Sequence, residues 1–155
     1  MSFEYFIAAN RPLPEIKDTT YQKLTVADMI RMDIPATMIP WKELDKHTEI
    51  LYRVGSVVPK RLYVSHVPNA AKIMSKYSEF RHFYMIDVRE MDFAQEMHHY
   101  VMSLDPETSL EIWHLWFGYD SEDETIHRID LARSELLPED FNVAHNACWC
   151  LAIHG

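Results

Sequence analysis

The sequence predicts an α+β protein built on one mixed, mainly antiparallel sheet of about 6–7 strands, with two main helices on one face. Three observations lead there. Apolar runs of strand length outnumber stretches with helical periodicity, and the two kinds alternate irregularly along the chain. Two runs, 110–117 and 147–153, are apolar at even and odd positions alike, the pattern of strands covered on both faces. With 155 residues, 48% of them hydrophobic, and no linker-like stretch, the chain reads as a single domain over 1–155 with its own core.

Residues 3–9 are an apolar run that Asn10-Arg11-Pro12-Leu13-Pro14 ends, a strand and then a loop. Thr25-Val26-Ala27-Asp28 is a capping-box pattern with Asp in place of Glu or Gln, opening a short helix through Ala27, Ile30 and Arg31. Two prolines make 33–40 a loop, and 41–47 reads as a helical turn. Residues 49–58 and 61–67 read as strands around Gly55 and Pro59. Asn69 is placed to cap a helix through Ala71, Ile73, Met74 and Tyr77. After a strand at 80–88, Asp92 opens the clearest helix. Its apolar residues Phe93, Met97, Tyr100, Val101 and Leu104 follow helical spacing.

Asp105-Pro106-Glu107-Thr108 is a turn before the strand 110–117. An acidic turn at 120–124 then leads to an alternating run, 126–131, which pairs with 110–117 as a hairpin. Residues 137–141 form a short turn or 3₁₀ piece, and 147–153 is the last strand. Its small face of Cys148, Cys150 and Ala152 suits close approach of a helix.

Composition removes several functions. With 3 glycines in the chain, no loop can cradle phosphate as P-loops and dinucleotide-binding turns do. The net charge of −9 repels phosphate backbones and anionic lipid heads, so neither nucleic acid nor membrane is an expected partner. No charge-free run is long enough to span a bilayer, and residues 1–12 have no basic region and carry Glu4 inside their apolar stretch, unlike a signal peptide. Two cysteines two apart on a strand hold their Cβ atoms about 6.5–7 Å apart, too far for a disulfide. Free thiols fit a cytoplasmic location.

Chemistry-bearing clusters are sparse. His145, Cys148, Cys150 and His154 offer zinc-type ligands, but C-x-C on a hydrophobic strand is not a zinc knuckle, and two small core residues are the simpler reading. Glu96 and His99 carry the Glu-x-x-His spacing of di-iron bundles without the other helices such a site needs. Mid-strand His82 and His114 read as core histidines. No nucleophile motif occurs, so no catalytic, metal or cofactor residue is assigned.

Charge distribution is the one remaining signal. Residues 120–140 carry net −6 and residues 53–89 net +5. Tyr119, Asp120, Glu122, Asp123 and Glu124, at the tip of the expected hairpin, are therefore the candidate partner-binding residues. Trp41, Trp113, Trp116 and Phe141 are further candidate anchors. The expected function is a small acidic cytoplasmic binding protein without catalysis, an inhibitor or immunity-type protein for a basic protein partner. The alternative is an enzyme or metal-binding protein whose His and Cys residues converge from separate strands.

Overall fold

The computed structural model describes residues 2–35, 40–55, 57–117, 125–142 and 147–155, without the side chains of Ser2 and Phe117. The chain divides into two units. Unit 1 comprises residues 1–17 and 61–155, and unit 2 is the stretch 18–60.

Unit 1 is α+β. Its strands are β1 (Ser2–Ala9), β4 (Leu62–His66), β5 (His82–Val88), β6 (Leu110–Phe117), β7 (His127–Ala132) and β8 (Trp149–His154). They form one six-stranded sheet in the order β4-β5-β1-β6-β8-β7. Every pairing is antiparallel except β7 with β8, which is parallel. The connection between those two carries 3₁₀ turns at Arg133–Glu135 and Pro138–Phe141.

Helix α2 (Pro68–Met74) and helix α3 (Phe93–Ser103) cover opposite faces of this sheet, a correction to the expectation of both on one face. On one side, Phe93, Met97, Tyr100 and Val101 of α3 pack on Ile7, Tyr84, Ile86, Ile112, Trp149 and Leu151. On the other, Ala70 and Met74 of α2 pack on Phe6, Ala8, Phe83, Trp113, Leu115 and Cys150. A strand apolar on both faces needs two covers, and β6 and β8 receive them.

The hairpin expected from 110–117 and 126–131 does not form. β8 lies between β6 and β7: Trp113 is paired with Cys150, and Cys150 with Arg128. Inserting β8 buries the more apolar strand in the sheet and leaves charged β7 at the edge, where charge discourages stray pairing.

In unit 2, β2 (Tyr21–Thr25) and β3 (Glu49–Arg53) pair antiparallel, and α1 (Val26–Arg31) follows β2 directly. The capping box is present. Thr25 Oγ1 accepts from the Asp28 amide at 3.1 Å, and Asp28 Oδ2 accepts from the Thr25 amide at 3.1 Å. The hydrogen bonds from Thr25 hold the Asp28 carboxyl below its usual range. Val26, Met29 and Trp41 form a small core of their own.

Candidate functional site

The sequence candidates resolve in different ways. Tyr119, Asp120, Glu122, Asp123 and Glu124 lie outside the described residues, as does His145. Trp41, Trp113 and Phe141 are buried and serve their cores, so they are not surface anchors; Trp116 is half-buried. His98 Nε2 lies 3.2 Å from the Leu136 carbonyl, a structural contact, while His99 is exposed. His114 is buried and donates from Nδ1 to the Ala147 carbonyl at 2.8 Å. Its ring stacks on Phe3 and Trp149, with centroids at 4.4 and 5.4 Å, so its place is in the core.

Both cysteines are buried thiols outside any disulfide. Cys150 takes part in a polar ladder across β6, β8 and β7 that the sequence reading missed. Glu111 is buried and accepts from Trp113 Nε1 at 3.1 Å and from Arg128 at 3.2 Å. Arg128 also pairs with Asp130 at 3.3 Å, and His154 Nε2 lies 3.1 Å from Asp130. Hydrogen bonds from His154 and Arg128 hold the Asp130 carboxyl below its usual range. Strand register produces the ladder. Glu111, Ala152 and Asp130 share one cross-strand row, and Trp113, Cys150 and Arg128 share the row two residues away, on the same face of the sheet.

The ladder does not make a nucleophile. Burial and the nearby Glu111 charge push the Cys150 thiol up to about 12, so it stays protonated at neutral pH. We expect a thiol reagent to label neither cysteine in native protein near neutral pH and both after denaturation. Rapid labelling without denaturant would refute the buried assignment.

The same group predicts alkaline destabilisation. The unfolded chain loses the thiol proton near the ordinary 9.0, the folded chain only near 12. The thiol's contribution is therefore complete below about pH 9 and is lost as pH rises, at up to about 1.4 kcal/mol per unit. Tyr100 acts in the same direction: its buried hydroxyl, donating to the Pro14 carbonyl at 2.8 Å, is also raised by burial. Urea midpoints across this range should fall for the native chain and fall less steeply for Cys150→Ala.

Each unit holds a concavity among its described residues. Unit 2 holds a pocket of about 280 Å³ lined by Met29, Ile34, Trp41, Ile50, Tyr52 and Arg53. Trp41 Nε1 is buried there without a hydrogen-bond partner. Unit 1 holds an open cleft of about 590 Å³ lined by Arg89, Glu90, Met91 and Asn142. Two local structures create it: the 3₁₀ turn Glu90–Asp92 that leads into α3, and the end of the turn Pro138–Phe141, where Asn142 is the C-cap. Met91 is 85% exposed, and Leu137 beside the second turn is 58% exposed. Glu90, with burial the larger cause, raises the Tyr5 hydroxyl pKa.

Charge separates the units. Unit 2 contains six acidic and six basic residues, so the whole surplus of −9 belongs to unit 1. Glu90 and Asp92 lie on the first turn, and Glu139 and Asp140 on the second. Among the described residues no group of three or more His, Cys, Asp or Glu side chains is arranged to hold a metal ion, and no helix is long and apolar enough to cross a membrane.

No protein-family model, no curated protein and no solved structure matches this chain.

Proposed function

We propose that the chain is a non-catalytic binding protein for a basic protein partner, an inhibitor or immunity-type protein acting in the cytoplasm, and that the cleft of unit 1 receives the partner. The observation that carries this reading is the pairing of an exposed apolar side chain, Met91, with acidic turns on a unit holding all of the net charge. A flexible thioether suits an adaptable contact, and the carboxylates steer a basic surface toward it. Asp120, Glu122, Asp123 and Glu124 belong to the same acidic surplus, and with Tyr119 beside them they are proposed as part of the docking surface. That charge also argues against tight binding of nucleic acid.

The test begins with a photo-crosslinking residue at position 91, to identify the partner in cells. Purified partner is then mixed with Glu90→Lys/Glu139→Lys and, separately, with Glu122, Asp123 and Glu124 all replaced by Ser. Association should slow by about tenfold in the first variant and lose salt dependence, with little change in dissociation. A slowed second variant would extend the surface to 119–124. Unchanged kinetics in both would overturn the reading.

A further inference from the structure

We infer that β7 is a self-complementary edge, and that a second copy of this chain pairs with it antiparallel about a two-fold axis at Ile129. β7 ends the sheet order, so among the described residues no strand runs along its outer side. Five of its six residues are exposed, and Ile129, an apolar side chain, is 43% exposed. At the other end of the sheet, Ile16 bridges Val64 of β4 through two backbone hydrogen bonds of 2.8 and 3.0 Å, so that edge is partly covered.

Backbone direction sets which groups are free. The His127 amide donates to the Cys148 carbonyl, toward β8. In a strand paired on one side, alternate residues turn their N–H and C=O the other way. Arg128 and Asp130 therefore present theirs outward. An antiparallel copy can use those groups only in registers that set an outward residue against an outward residue.

Charge selects among these registers. A two-fold axis at position 128 would set Arg128 against its own copy, and one at 130 would set Asp130 against its own copy. Like charges directly opposite destabilise a ladder. An axis at Ile129 sets each Arg128 opposite the copy's Asp130. Four backbone hydrogen bonds then close between these residues, and the two Ile129 side chains meet at the non-hydrogen-bonded centre. Arg128 and Asp130 already share one sheet face and are paired at 3.3 Å, so the copy completes a square of alternating charge. The interface is isologous, as a two-fold dimer requires. A single short edge buries little area, so the association is expected to be weak, with a Kd of about 10–100 μM.

Sedimentation equilibrium of the full chain tests this. The mean mass should rise with concentration from 18.4 kDa toward twice that value. Asp130→Arg sets Arg128 against a like charge across the axis and should weaken self-association by about tenfold or more. Asp130 is half-exposed, so the variant should fold, with an unchanged circular dichroism spectrum as the check. Ile129→Cys should give a disulfide-linked dimer on mild oxidation, because position 129 meets itself across the axis and both native thiols are buried. A native chain that stays at 18.4 kDa up to about 500 μM would overturn the proposal. So would an Asp130→Arg variant that associates as the native chain does; a dimer then uses another surface.

Discussion

Trp149→Ala is expected to lower the stability of unit 1 by about 3–5 kcal/mol, read as a drop in urea midpoint by circular dichroism. Trp149 is the largest side chain with almost no exposure, on a central strand. Its ring stacks on His114 and meets Tyr5 and Phe93 at 6.2 and 6.3 Å, so alanine would empty the middle of an aromatic cluster. These neighbours sit on β1, β6 and α3 and cannot collapse inward together. Trp149→Phe separates packing from polarity. Among the described residues the buried indole N–H has no hydrogen-bond partner, so burial costs it solvation with no return. Phenylalanine removes that cost while keeping most of the ring, and a loss of only about 1 kcal/mol is expected. A phenylalanine variant as unstable as the alanine variant would show that the indole N–H itself stabilises the fold.

Arg133→Ala should cost about 2–3 kcal/mol, the larger part of it at the end of α3. A helix leaves its last carbonyls without internal donors. Arg133, half-buried in the connection from β7 to β8, supplies them. Its guanidinium donates to Val101 at 2.7 Å, to Asp105 at 2.6 Å and to the Leu104 carbonyl. One cation thus satisfies three acceptors and opposes the negative end of the helix dipole. Hydrogen exchange of the last turn of α3 should accelerate in the variant, while exchange in β1 changes less. Arg133→Lys should recover only part of the loss, since an ammonium lacks the fork that reaches separate carbonyls.

What was legible in the sequence was what periodicity encodes. The spacing of Phe93, Met97, Tyr100, Val101 and Leu104 named the buried stripe of α3, and all five are buried. The two-faced apolarity of 110–117 and 147–153 named the strands that need cover on both sides. Strand order was not legible. The tight acidic turn favoured a hairpin with 126–131, but exchanging β7 for β8 in the sheet interior buries Trp149, Leu151 and Ile153 in place of charged residues. The stripe on a helix says that a face is buried, not against which side of the sheet, so α2 and α3 were assigned to one face. β2 was missed because the first three of its five residues are exposed and it shows no alternation. The polar ladder and the cleft were invisible for a shared reason. Glu111, Arg128 and His154 are brought together by cross-strand register, and Met91 and Asn142 line one cleft from distant parts of the chain, and no local spacing records either.

The central position of β1 governs how the chain reaches this fold. Its two neighbours, β5 and β6, begin at His82 and Leu110, so unit 2, β4 and α2 are all made before β1 finds a partner. At about 5–20 residues per second on the ribosome, that wait lasts several seconds. Closing loops of this length before any contact rewards them slows folding toward the millisecond-to-second range of sheet proteins. Unit 2 has no such delay, because β2, α1 and β3 pair within one continuous stretch. For those seconds Phe6, Ile7, Ala8 and Ala9 form an unpaired apolar strand, the segment of the nascent chain most open to capture by a chaperone or by another unfinished copy.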